Sequence, residues 1–396
     1  MTSREPSEAA VRRSRLGSHL LSYSVPVLAV LGAFAIGAVM LAALGANPFT
    51  GFWAMAKGAF GSSGALVETA LKSTPLLLVG VGITIAFRAN VINIGGEGQM
   101  VAGALASTIT ALGMTDVPAW IALPLALAAG VAGGAIWGAI PGALKAYFGV
   151  NEILSTIMLN VVAVQAMNWL LRDPLIDPME IERGTRIPQT ARLPESTDLP
   201  LFVEGGRLHI GPLIAVGAAV LVYVLLWRTT SGYRLRAVGL SADAARYAGM
   251  SVEKNVVWAL TLSGAMSGLA GAILVLGSEG HRMVTDGSTI GFTGSAGFNG
   301  IVTALFGGLH PLWTIPSSFL FGGLLVGAIA LQRAAQVPTA LVLALNGLVV
   351  LFVVSLDRYR RQLKEREEQS VSSVVTAAPE SDESDSPPSG EDDDHG

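Results

Sequence analysis

The 396-residue chain contains no cysteine, which excludes disulfides, thiolate metal sites and cysteine nucleophiles outright. Charge is scarce: 14% of residues are Asp, Glu, Lys or Arg, against about 25% in a typical soluble domain. No G-x-x-x-x-G-K-[ST] loop occurs, so the chain does not cradle ATP in that manner. It has no G-x-S-x-G elbow, and its five histidines show no metal-binding spacing. No catalytic residue, metal or cofactor is therefore expected. A soluble enzyme of ordinary composition, a nucleic-acid binder and a disordered chain all fit poorly.

Hydrophobic residues make up 51% of the chain, and mean hydropathy is +0.56. Glycine is 47 of 396 residues, where about 7% is usual. Small residues in an apolar chain suit helices that pack closely in lipid. The net charge of −4 is a composite. Residues 376–396 carry eight acids and no Lys or Arg; removing those from 29 leaves 21 acids against 25 bases, a net +4 for the rest. The Ser-, Pro- and acid-rich tail has too little apolar surface to fold, and reads as a solubilising extension.

Ten apolar stretches of spanning length or near it are predicted. They lie at about 24–46, within 65–87, within 97–113, at 117–143, 153–171, 212–227 and 256–276, a short glycine-broken one within 298–309, then 313–330 and 338–356. The expected fold is all-α: a polytopic transmembrane bundle of about ten spans, or eight if two glycine-rich pieces are re-entrant. The first stretch reads as a retained anchor, since its core exceeds a signal-peptide h-region and no clean cleavage site follows. Arg12, Arg13 and Arg15 precede it, and Arg358, Arg360, Arg361 and Lys364 follow the last. Both termini are thus expected in the cytoplasm. Segment 172–210 falls outside, and the basic segment 229–254 inside.

Three polar interruptions stand out. The first, Asn90-Val91-Ile92-Asn93-Ile94-Gly95-Gly96-Glu97-Gly98-Gln99, reads either as a cytoplasmic turn with an N-capping carboxylate or as a discontinuous helix bordering a substrate path; Asn93, Glu97 and Gln99 are its candidates. Broken backbone at membrane depth survives only inside protein or against a wet cavity. In the second, Asn151 N-caps a helix with Glu152 in its first turn, and Ser155, Asn160, Gln165 and Asn168 ride within the span. Those side chains either bond neighbouring helices or line a passage. The third, Gly291 to Gly300, includes Phe298 and Asn299. Two broken segments in oppositely oriented halves are what an inverted repeat gives. Glu68 and Lys72, spaced i,i+4, read as a pair on one helix face, and His281 and His310 as loop or interface residues.

Within 229–254, Ser241 is a good N-cap, Asp243 sits in the first turn and Gly249 is placed for a stop. This predicts a helix of about two turns over 241–248 whose Ala244, Ala245 and Tyr247 offer a small, smooth surface. So short a helix is marginal alone, which points to docking on a partner. Arg234, Arg236 and Gly239 precede it.

Asn93-Ile94-Gly95-Gly96-Glu97-Gly98-Gln99 resembles the N-I-G-x-E-G-Q stretch of permease subunits from nucleoside and simple-sugar ABC importers. Asn151-Glu152 through Met158-Leu159-Asn160 resembles their N-E-(I/V)-x-x-T-x-M-L-N stretch. The segment Gly232–Gly249, with Leu262-Ser263-Gly264 through Gly271, and Gly297-Phe298-Asn299-Gly300-Ile301 are similar to two further motifs, in the same order over residues 65–355. The Glu-Gln form of the first motif is similar to the longer of the two nucleoside permeases. Thr303 departs from the pattern, standing where a second aliphatic is usual. The resemblance implies a transport subunit, not an enzyme. Its partners would be a separate ATPase, a second related permease, an extracytoplasmic binding lipoprotein and the plasma-membrane bilayer, with no nucleic acid. Residues 1–22 would be a cytoplasmic basic segment, 23–358 the permease domain and 359–396 the acidic tail. Nucleosides are the implied substrate. A simple-sugar permease or an ion-coupled secondary transporter is the alternative.

Overall fold

The computed structural model describes residues 31–338 except 33, 204 and 288–290, together with 344, 347 and 348. Among the described residues the fold is helical: two isolated β-bridges form, Gln189 with Val284 and Leu201 with His209. The helices are α1 (Phe34–Ala43), α2 (Pro48–Phe60), α3 (Ser63–Arg88), α4 (Gly96–Leu112), α5 (Ala119–Phe148), α6 (Glu152–Arg172) and α7 (Pro178–Glu182). They continue with α8 (Gly211–Arg228), α9 (Thr230–Leu240), α10 (Ala242–Tyr247), α11 (Val252–Leu276), α12 (Ala296–Phe306) and α13 (Pro311–Ala335).

Their ends follow the local chemistry. Ser62 caps α3, Asn151 caps α6 and Ser251 caps α11, each side-chain oxygen accepting an N–H of the first turn. Arg88, Lys145 and Arg228 sit in the last turns of α3, α5 and α8, where the helix dipole favours cations.

Among the described residues six helices, α3, α5, α6, α8, α11 and α13, are long and apolar enough to cross a membrane. The all-helical membrane bundle is as expected, and six of the about ten expected spans are full-length helices among the described residues. At 17 residues α4 reaches about 26 Å, and at 11 residues α12 reaches about 17 Å. Both fall short of the roughly 30 Å hydrocarbon core, because each begins at one of the glycine-rich breaks. The stretch at 24–46 is described only from residue 31, and that at 338–356 lies almost wholly outside the described residues. Helix α2 was not foreseen, although Asn47-Pro48 is a cap followed by proline at the first helical position.

Helices α3 and α11 are central, and most of their apolar residues are buried. Helices α5, α6 and α8 turn one side outward and expose Ile136, Trp169 and Leu221 among others, as lipid-facing helices do. Since lipid is as apolar as a leucine side chain, close packing holds such a bundle together. Gly130, Gly134, Gly138 and Gly142 repeat every fourth residue along α5 and face α11. A Cβ on Gly134 would lie 2.2 Å from the Gly264 carbonyl oxygen, one on Gly268 2.3 Å from that of Gly130, and one on Gly103 of α4 2.3 Å from the Gly268 Cα. The three backbones are in direct contact.

Substitution separates packing from propensity here. Gly134→Ala must push α5 off α11 and should cost about 1–3 kcal/mol. Gly217→Ala, in α8 with nothing within 4 Å of the new methyl, should be neutral or stabilising by up to about 1 kcal/mol. Thermal unfolding of both variants in detergent checks the contrast.

Candidate functional site

The first polar interruption is a real break in the middle of the bundle. Helix α3 ends at Arg88, Asn90 turns the chain with φ 56°, and α4 starts at Gly96. Side chains from other helices satisfy the intervening backbone. Asn93 is fully buried and forms a reciprocal amide pair with Gln99 at 3.0 and 3.2 Å. Its Nδ2 also donates to Ser263 Oγ of α11 at 2.8 Å, and its Oδ1 accepts the Gly95 N–H at 2.8 Å. From α6, Asn160 Oδ1 accepts the Gly98 N–H at 2.8 Å while its Nδ2 donates to the Ile94 carbonyl at 2.9 Å.

Glu97 joins this break to the third one, 200 residues away. It is 1% exposed, and its Oε1 accepts the N–H groups of Gly297 at 3.0 Å and Phe298 at 3.3 Å in the first turn of α12. The two helix starts abut: a Cβ on Gly297 would lie 2.4 Å from the Glu97 nitrogen. From this meeting point the helices diverge. Toward its end α4 reaches Thr108, beside Met283, whose carbonyl takes the N–H of Thr190 from the 173–210 segment. Helix α12 leads instead to Leu309, whose carbonyl accepts Arg88 Nε at 2.9 Å. Each helix N-terminus carries about half a positive charge, so two together present about one. A single buried carboxylate balances them.

The opposite end from the 173–210 segment carries α9 and α10. Helix α9, an addition to the single short helix expected within 229–254, is capped by Thr229 and presses on the end of α3: a Cβ on Gly239 would lie 2.1 Å from the Arg88 carbonyl oxygen. Arg88 and Arg236 both lie over the Trp227 ring, at 5.3 and 5.6 Å, and the rings of Tyr223 and His310 pack against the same indole. Helix α10 spans Ala242–Tyr247 with Ser241 as cap and Gly249 at φ 77°, matching the expected short helix. Its surface differs from the expectation. Leu240, Ala244 and Tyr247 project outward, with Tyr247 94% exposed, while Ala245 is buried at 4% because it points back to the bundle.

The structure thus gathers Asn93, Glu97, Gln99 and Asn160 into one network. Asn151 stands apart from it, capping α6 through the N–H groups of Ile153 and Leu154, and Glu152 pairs with Lys145 at the end of α5 while touching the first break at the Ile92 backbone. Phe298 offers its backbone to Glu97 but leaves its ring 42% exposed, and Asn299 is half-buried. Arg234 is exposed, whereas Arg236 and Gly239 are partly buried against neighbouring helices. Thr303, the departure from the family pattern, donates to the Leu76 and Gly300 carbonyls of α3 and α12. Glu68 pairs with Arg207 at 3.0 Å instead of Lys72, because the loop before α8 brings a guanidinium within reach. His281 bonds Asp198 at 2.6 Å in the loops. Ser263 was missed; a serine beside glycine inside an apolar span was its signal. At the loop end, burial pushes the His209 imidazole below its usual range, and the neutral ring accepts the Gly211 N–H at Nδ1.

Six helices of spanning length around a polar network with two opposed half-helices define an integral membrane protein built as a transport bundle. The chain belongs to the family described as branched-chain amino acid transport system / permease component, whose model matches residues 65–354. It is 38% identical over 338 residues to the guanosine ABC transporter permease protein NupP of Bacillus subtilis (strain 168), covering 85% of this chain and 94% of that protein. It is 34% identical to the glucose ABC transporter permease protein TsgB13 of Haloferax volcanii, over 86% of this chain and 89% of that one. To the nucleoside ABC transporter permease protein NupB of Lactococcus lactis subsp. cremoris it is 29% identical, over 83% and 90%. No solved structure matches the chain. The family is one of transport permeases rather than enzymes, and membership implies an ATP-binding and a substrate-binding partner.

Removing the Glu97 carboxylate leaves two buried N–H groups without an acceptor, each worth about 1–3 kcal/mol. Glu97→Ala should therefore lower stability by about 3 kcal/mol, and Glu97→Gln, which keeps an acceptor oxygen, by less. Thermal unfolding of purified variants in detergent should rank them wild type, Gln, Ala.

Proposed function

We propose that the chain forms half of the translocation path of an ATP-driven importer of nucleosides, in the plasma membrane. The observation that carries this reading is the 38% identity to a guanosine permease over 85% of the chain. The 34% identity to a glucose permease favours a simple sugar as the second reading. Ten membrane-embedded segments, counting α4, α12 and the stretches at 24–46 and 338–356, would place both termini in the cytoplasm, with α9 and α10 on the cytoplasmic side. The opposed half-helices α4 and α12 support an inverted repeat, with the path running beside the exposed Phe298 ring and Asn299. Asn93, Glu97, Gln99, Asn160 and, at the entry to α6, Asn151 and Glu152 would shape that path without contacting solute. A second related permease would close the other side, an extracytoplasmic lipoprotein would deliver substrate, and residues 359–396 would lie outside the transport unit.

The partner ATPase would bear on the outward face of α10, through Ala244 and Tyr247 with the exposed Arg234 nearby, while Arg236, Gly239 and the turn at Gly249 hold that helix in place and Ala245 packs behind it. Transport is then a two-state change biased by nucleotide. Its test uses the chain co-reconstituted in liposomes with its co-encoded subunits. Labelled guanosine should accumulate when ATP is supplied on the ATPase side. Ala244→Arg should cut that uptake at least tenfold with unchanged amounts of assembled protein in the membrane. Uptake by this chain alone under an ion gradient would favour a secondary transporter, and unchanged uptake in Ala244→Arg would remove the docking assignment.

A further inference from the structure

A cavity of about 680 Å³ opens between the first turns of α9 and α11, at the end of the bundle away from the 173–210 segment. Arg234 and Lys254 line it together with Ser231, Ser251, Tyr233 and Trp258, and none of its lining residues is acidic. Among the described residues neither cation has an ion-pair partner; the nearest carboxylate in sequence, Glu253, is held by Arg246 at 3.0 Å. Two cations without an ion-pair partner among the described residues and the Ser231 hydroxyl line one space and form a site for a phosphate-bearing anion, which accepts hydrogen bonds from all three, while Ser251 Oγ is engaged by Glu253 at 3.5 Å.

The aromatic wall narrows the source. Trp258 lies six residues into α11, about 9 Å along its axis, and is 46% exposed; Tyr233, on the facing helix, is 58% exposed. Amphipathic rings settle where headgroups give way to acyl chains, and Arg and Lys stems snorkel from that depth to the polar layer. The cavity is therefore lined by two cations, hydroxyls and two part-exposed amphipathic rings. A free phosphate uses the cations and hydroxyls but not the rings.

We infer that this cavity binds the phosphate headgroup of an anionic membrane lipid. The inference requires only that the chain is embedded in a bilayer, and goes beyond the transport reading. Occupancy would brace α9 against α11 and so set the position of α10, which connects them in the chain.

The test is native mass spectrometry of the full-length chain in neutral detergent with equal amounts of phosphatidylglycerol and phosphatidylcholine. Wild type should retain phosphatidylglycerol selectively. The double variant Arg234→Gln/Lys254→Gln should lose binding by roughly thirtyfold, at about fivefold per cation near a membrane surface. Lys254→Gln alone should lose about fivefold, which keeps the test open if the double variant does not fold. Arg333→Gln, an exposed cation in the last turn of α13 that does not line the cavity, should bind as wild type does. Retention of phosphatidylglycerol by both cavity variants, or an equal loss in Arg333→Gln, overturns the inference. Displacement by millimolar inorganic phosphate would assign the cavity to a soluble anion instead. None of these readouts depends on uptake, so failure here leaves the transport reading untouched.

Discussion

The Glu97 carboxylate is the constraint on which the centre of this molecule depends. Two short helices start head to head inside an apolar bundle, and their positive ends would repel across a low-dielectric gap. One acidic side chain, rooted in the first turn of α4 and bonded to the first turn of α12, converts that repulsion into a joint. The glycines at the meeting point follow from it. Gly297 has no room for a side chain, since a Cβ there would lie 2.4 Å from the Glu97 nitrogen, and one on Gly96 would lie 3.3 Å from the Gly297 backbone, so the carboxylate reaches its two N–H groups directly. The amide network of Asn93, Gln99, Ser263 and Asn160 then meets the remaining demand of the broken backbone, which lipid cannot satisfy.

Around the joint, the bundle divides into parts of different stiffness. Helices α4, α5 and α11 touch backbone to backbone along a row of glycines and have little freedom to slide. Helix α12 is tethered at both ends: Glu97 holds its start, and Arg88 holds the Leu309 carbonyl just beyond its finish. Arg88 in turn shares the Trp227 ring with Arg236 of α9. Packed cation–aromatic contacts thus run from α9 to the far end of α12. This gives the proposed nucleotide-driven change a physical route from the helix that would bear on the ATPase to the centre of the membrane.

Much of this was legible in the sequence, because long apolar runs and oxygen-bearing caps are local signals. The six full spans, the cap at Asn151, the short helix after Ser241 and the two breaks all follow from residues close together in the chain. What escaped depends on distance in sequence or on three-dimensional crowding. Hydropathy counts α4 and α12 as spans because it registers composition, whereas their lengths are set by where the breaks fall. The glycines at 232 and 239 obscured α9 beside the single short helix expected there. In the structure they let α9 approach α8 and α3, a Cβ at Gly232 lying 2.0 Å from the Leu225 carbonyl oxygen. Which of two adjacent alanines faces outward on a six-residue helix is decided by what lies behind it, and Ala245 turned inward. That Glu97 caps a helix 200 residues away had no signal in its own segment.

Hydrogen exchange at the joint measures this arrangement most directly. With the chain in lipid nanodiscs, the amides of Gly297 and Phe298 should exchange slowly in wild type. In Glu97→Ala they should exchange faster by at least tenfold, while amides along the α5–α11 contact keep their protection. Equal protection of Gly297 and Phe298 in the two proteins would contradict the account, because those two N–H groups would then owe nothing to the carboxylate.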